Sequence, residues 1–200
     1  MEITATMVKE LRQKTGAPMM DCKKALSETE GDFEKAITYL RQKSLATVSK
    51  KAHRATAEGV IASYIHPGSK LGVMLELNSE SDFVARSNEF QEFTKNMTMH
   101  IAALNPLYIS RDDVTPEDIE KEREIYTSQA KDSGKPEKIW DKIVSGRMDK
   151  YYSEVCLLEQ TYIKDDKLTV KEVVHELIAK LGENISIKRF IRYQLGEDLS

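Results

Sequence analysis

His175-Glu176 opens like the helix of a zinc hydrolase, where two histidines one turn apart share a metal and a glutamate serves as base. The position needing the second histidine is Ala179, so two ligands never share that face and a metal hydrolase is disfavoured. The 4 histidines are scattered, and each reads as a solvated or capped ring. Cys22 and Cys156 form no disulfide framework, and neither has a second Cys or His at metal-finger spacing. Nothing around Cys22 marks a nucleophile; among Met19, Met20 and Ala25 it reads as a small core residue. Neither GxxxxGK[ST] nor GxGxxG occurs. Paired carboxylates abound, but on charged helix faces. Trp140, near Ile139 and Ile143, reads as a core or core-edge residue. These spacings supply no catalytic residue, no metal site and no cofactor.

A different chemistry is offered by Asn78-Ser79-Glu80-Ser81-Asp82-Phe83-Val84-Ala85-Arg86. Ser81 or Asp82 can cap a helix, because a short side-chain oxygen satisfies the free N–H groups of the first turn. Phe83 then falls in that first turn, where a side chain easily projects beyond the helix end. Two readings are open: the ring folds back into the core, as large apolar residues usually do, or it stands out as an anchor for a partner.

The chain that must position these residues has 200 of them, enough for one sizeable core and a small satellite domain. Charged residues make up 32% and the apolar set 40%, the balance of a soluble protein with charged helix faces. With 30 basic and 33 acidic residues the net charge is -3, which argues against a strongly basic nucleic-acid binder. No direct contact with nucleic acid is expected. No apolar run approaches the roughly 20 residues of a membrane span, and the opening MEITATMVKE lacks a signal-peptide layout. A reducing, soluble compartment is expected: the cytoplasm, or the stroma or matrix of an organelle. The sequons at Asn96 and Asn184 therefore carry little meaning.

Residues 1–55 read as helices only. Met7, Val8 and Leu11 make a stripe with Thr4 as cap and Gly16 as stop. Pro18 suits the first turn of a second helix, which carries Met19, Cys22, Ala25 and Leu26. Gly31-Asp32 re-caps the chain, and Phe33, Ala36, Ile37 and Leu40 line a third helix. The following KSLATVSKKAHRATAEG is basic and poor in large apolar residues, a solvated helix or tether. Residues 56–200 form a second domain. There, two apolar-rich runs flank His66-Pro67-Gly68-Ser69-Lys70, a hairpin signal. Leu71, Val73, Leu75 and Leu77 alternate as one buried face. Ile185, Ile187, Ile191, Tyr193 and Leu195 alternate again, with Arg189 interrupting. Helices are expected over 82–103, 116–132, 136–153 and 170–182, with Pro116 and Pro136 near helix starts. The fold class is α+β: an antiparallel sheet of three strands covered on one side by helices.

LRQKTGAPMMDCKKAL and NSESDFVAR closely resemble the two signature segments of the bacterial and organellar translation elongation factor Ts family. SGKPEKIWDKIVSGRMDKYYSEVCLLEQTYI and GENISIKRF are similar to its later segments, in family order and over nearly the whole chain. The resemblance implies a nucleotide exchange factor for the GDP-bound elongation factor Tu, not an enzyme, with an N-terminal three-helix module like a ubiquitin-associated domain. It implies that Ser81, Asp82, Phe83 and Val84 press on the GTPase near its bound magnesium, displace the ion and release GDP so that GTP can bind. It also implies contacts from Arg12, Met19 and Met20 to the nucleotide domain, with His66 a weaker contact. The family usually has Gly where Pro18 stands, Cys where Ser79 stands and Thr where Ser81 stands. Ser81 keeps the capping hydroxyl, whereas Pro18 restricts the turn before Met19. A single core unit resembles the short form of the family, in which a two-fold homodimer replaces an internal duplication. A ribosome- or RNA-associated protein using the basic tether is the rival reading, and its mark would be steeply salt-dependent RNA binding.

Overall fold

The computed structural model describes residues 3–197. Helix α1 (Ala5–Thr15) begins where the Thr4 side chain accepts the Met7 N–H at 3.3 Å, and ends at Gly16, whose φ of 66° only glycine takes without strain. Helix α2 (Met19–Glu28) starts one residue later than expected: Pro18, with φ -55°, is its cap residue rather than part of its first turn. Asp32 caps α3 (Phe33–Lys51) by accepting the Lys35 N–H at 3.1 Å. The stripes meet as expected, and Val8, Leu11, Cys22, Ala25, Leu26 and Leu40 are buried together. Most of the basic segment belongs to α3.

The sheet is antiparallel, with β2 (Leu71–Ser79) between β1 (Glu58–Ile65) and the strand Ile185–Gln194. The hairpin closes through the His66 N–H, which donates to the Leu71 carbonyl at 2.9 Å. Along β2, Val73, Leu75 and Leu77 are buried while Met74 is exposed, the signature of one covered and one open face. Gly59 is obligatory: with φ 147°, an added Cβ would lie 2.3 Å from the Leu77 carbonyl oxygen.

The expected helix over 82–103 is two helices, α4 (Asp82–Ala85) and α5 (Asn88–Leu104). The break has a local cause. Ser87 Oγ donates to the Val84 carbonyl at 2.8 Å and accepts the Phe90 N–H at 3.3 Å, so it ends one helix and caps the next. Phe90, Met97 and Ile101 then form the buried stripe of α5. Helix α6 (Pro116–Asp132) has Pro116 in its first turn and Thr115 as cap. A short 3-10 turn, Glu137–Ile139, precedes α7 (Trp140–Val155), so the regular helix starts later than 136. Ala130, Val144 and Met148 are buried between α6 and α7, with Trp140 half-buried beside them. Its indole N–H donates to the Lys135 carbonyl at 2.9 Å.

A two-stranded hairpin, β3 (Thr161–Tyr162) with β4 (Asp165–Thr169), was not expected from the sequence. Helix α8 (Val170–Leu181) and β5 (Ile185–Gln194) complete the chain. The expected single face of β5 is not observed. Ile185 and Ile187 are buried, but Ile191 and Tyr193 are exposed, while Phe190 and Arg192 are the more sheltered residues. The inward phase slips by one residue across Lys188–Arg189, and such a slip sends every later side chain to the opposite face.

The chain forms two compact units. One comprises the stretch up to Val60, Leu77–Glu92 and Val174–Lys188; the other comprises Ile61–Glu76, Phe93–Val173 and the stretch from Arg189 onward. The first contains α1–α3 and α4. The second contains α6, α7 and the β3–β4 hairpin.

Candidate functional site

Polar groups around α4 are tied down one after another. Ser81, not Asp82, is the cap: its Oγ accepts the Val84 N–H at 3.3 Å. The same hydroxyl donates to Glu183 Oε1 at 2.6 Å, and the Ser81 N–H donates to Glu183 Oε2 at 2.9 Å. Ser79 is fully buried, and its hydroxyl donates to the Ser81 carbonyl at 2.9 Å, a bond a thiol at that position would make more weakly. Glu80 Oε1 accepts the Asn184 N–H at 2.6 Å, with Arg54 Nη1 3.4 Å away. The Asn184 amide, and then Arg54, hold the Glu80 carboxyl below its ordinary range. Gln91 Nε2 donates to the Ala85 carbonyl at 2.7 Å, joining the end of α4 to α5.

Against this tied backbone stands Phe83. It is 86% exposed, whereas its helix neighbours Val84 and Ala85 are buried. The reading in which Phe83 folds into the core is therefore excluded. Asp82 is also exposed and pairs with Arg86 at 2.7 Å, an exposed bridge of the kind that contributes little to stability. Met19 and Met20, at the start of α2, are 52% and 72% exposed. They are not core residues, unlike Cys22 one turn on. Arg12 lies exposed on α1. His66, in the second unit, is exposed at the β1–β2 turn with its Nδ1 2.9 Å from the Tyr64 hydroxyl. Glu183 and Glu80 were missed as site residues. Each reads locally as a loop charge, although Glu80 lies inside NSESDFVAR and Glu183 inside GENISIKRF.

The remaining chemistry is structural. Among the described residues, no three His, Cys, Asp or Glu side chains are placed to hold one metal ion. Both cysteines are buried and free; burial raises the Cys22 thiol and pushes Cys156 up to about 11, so neither is a thiolate. His100 corrects the reading of every histidine as solvated or capped, for it is fully buried. Its Nδ1 accepts the Ile163 N–H at 3.2 Å, so Nε2 carries the proton and donates to Gln160 Oε1 at 2.9 Å. Burial depresses its pKa. In the basic segment Lys43 pairs with Asp21 at 2.6 Å, Lys51 donates to the Gly182 carbonyl and Arg54 faces Glu80. Those contacts leave it a weaker candidate for a phosphate backbone. No helix among the described residues is long and apolar enough to cross a membrane.

The family model described as "Elongation factor TS" matches residues 2–197. A protein named elongation factor Ts from Alkaliphilus oremlandii is 57% identical over 199 residues, covering 100% of this chain and 92% of the relative. Elongation factor Ts of Geobacter metallireducens is 56% identical over 200 residues, with 100% and 93% covered. That of Syntrophus aciditrophicus is 55% identical over 199 residues, with 100% and 99% covered.

Proposed function

The chain belongs to the elongation factor Ts family of translation elongation, and from that premise we propose that it is the guanine nucleotide exchange factor of elongation factor Tu. The observation that carries this reading is the exposure of Phe83, at 86%, on a corner whose backbone is tied by Glu183, Glu80 and Ser79. Phe83 enters an apolar slot of the GTPase beside its bound magnesium, with Ser81, Asp82 and Val84 forming the contact around it. Full burial of such a ring is worth about 1.5–3 kcal/mol, and an aromatic anchor in a pocket is the usual hot spot. Mg²⁺ demands near-ideal octahedral geometry, so a small displacement of its surroundings costs much of its binding. Without the ion the phosphate charge is unbalanced and GDP leaves, after which GTP binds. No bond is made or broken, so no catalytic residue is needed. Linkage is reciprocal: a factor that weakens nucleotide binding is itself bound more weakly by the nucleotide complex.

Residues 1–55 act as a three-helix module whose exposed Arg12, Met19 and Met20 contact the nucleotide domain, with His66 as a further contact. The active form is a homodimer. Its support is the open sheet face of the second unit, where Ile61, Ile65, Met74, Ile191 and Tyr193 are exposed. The charge on that face is neutralised internally, Arg189 meeting Glu76 at 2.7 Å. A second copy related by a two-fold axis would therefore meet a largely apolar surface on which Arg189 and Glu76 already satisfy each other.

The test is release of labelled GDP from elongation factor Tu with and without this protein. Acceleration is expected. A folded protein that leaves the release rate unchanged would overturn the reading.

A further inference from the structure

The hydrogen bonds at α4 form a clasp between segments about a hundred residues apart in sequence. Ser81 N–H donates to Glu183 Oε2, and Asn184 N–H donates to Glu80 Oε1. Each segment thus contributes one glutamate that takes a backbone N–H of the other. A serine hydroxyl has one proton and two lone pairs. By taking that proton at 2.6 Å, Glu183 Oε1 leaves the Ser81 oxygen to act as acceptor toward the Val84 N–H. The direction of the cap is set by a carboxylate in the turn between α8 and β5. Both bonds to Glu183 are of the charge-assisted kind, roughly twice as strong as neutral ones.

We propose that Glu183 is a positioning residue for exchange: acting through Ser81, it fixes the first turn of α4 and so the direction in which Phe83 is presented. This rests on the reading of Phe83 as the anchor. With 86% of the residue in water, little protein packing holds the ring. Its place is set by the backbone from Ser81 to Val84, and Glu183 holds that backbone. An anchor fixed before contact loses less conformational freedom on binding, and that saving appears as affinity.

The experiment compares wild type, Glu183→Gln, Phe83→Ala and the double variant, each for stimulated GDP release below saturation and for amide hydrogen exchange. A glutamine has one acceptor oxygen and an NH2 donor, so it cannot hold the hydroxyl and the N–H on two separate oxygens as the carboxylate does. Glu183→Gln is expected to slow release about tenfold, the scale of one charged hydrogen bond. It should speed hydrogen exchange at Ser81 and Val84 while leaving β2 and α5 protected. In the Phe83→Ala background the same change should cost nothing further, because the residue it positions is gone. A merely structural role would lower activity by the same factor in both backgrounds, and that result overturns the proposal. So does wild-type release by Glu183→Gln. If Phe83→Ala alone releases GDP at the wild-type rate, the anchor reading falls and takes this inference with it, whatever the hydrogen exchange shows. Should Glu183→Gln fail to fold, Ser81→Ala breaks the same relay at the hydroxyl and must show the same non-additivity with Phe83→Ala.

Discussion

Around α4 one large ring stands in water on a backbone held by named hydrogen bonds, whereas on the open face of β1, β2 and β5 several medium-sized apolar side chains share the exposure. Phe83 is 86% exposed beside buried Val84 and Ala85; on the sheet, Ile61, Ile65, Met74, Ile191 and Tyr193 lie between 44% and 66%. A lone ring can act only through its position, so its scaffold must be rigid. A patch acts through area, tolerates the loss of any one member, and is broken by charge rather than by truncation.

The sharpest test sets Phe83 against Phe90, which is fully buried. Phe90→Ala should destabilise the fold by about 3–5 kcal/mol in urea unfolding. Phe83→Ala should change stability by no more than about 0.5 kcal/mol, yet slow stimulated GDP release tenfold or more, as loss of a hot-spot residue does. Equal melting losses in the two variants would erase the distinction. Deleting residues 1–55 should come next. The module has its own buried cluster, so circular dichroism of the remainder should report a folded protein with much weaker exchange. Full activity at low concentration would remove the module from the mechanism.

On the sheet face, Ile65→Lys should leave the melting temperature nearly unchanged and shift sedimentation from dimer to monomer. Each 1.4 kcal/mol lost raises the dimer dissociation constant about tenfold. A variant that stays dimeric at wild-type concentrations places the two-fold contact elsewhere. A milder effect is expected from His100. Its ordinary pKa is 6.5 and burial depresses it in the fold, so below that value the unfolded chain takes up a proton that the native protein refuses. Stability should therefore be complete above pH 6.5 and fall as the pH drops toward the depressed native value, by at most about 1.4 kcal/mol per unit. His100→Gln should flatten that slope even though its stability at neutral pH is lower. The smallest change belongs to Asp82→Ala. Since Ser81 makes the cap and the Asp82–Arg86 pair is exposed, stability should move by less than about 1 kcal/mol. A larger loss would mean that Asp82 shares the capping role.

Features that depend on residues a few positions apart were legible in the chain itself. Thr4 and Asp32 mark helix starts because a cap is made by neighbours three positions on, and Pro116 does so because its missing N–H is spare in a first turn. The alternation of Val73, Leu75 and Leu77 reports a half-covered strand for the same reason. Even Ser81 as a possible cap, and Phe83 beside it, could be picked out. Whether that ring points in or out could not be, since it depends on which surfaces pack around α4. Tertiary structure alone decided the partners of Ser81 and Asn184, because Glu183 and Glu80 bond across about a hundred residues. It also moved the inward phase of β5 beyond Lys188, leaving Ile191 and Tyr193 outside with Met74. And it made a hairpin of Asp165–Thr169, whose Asp and Lys residues disfavour a strand by propensity. Pairing with Thr161–Tyr162, anchored by buried Tyr162 beside His100, outweighs that local preference.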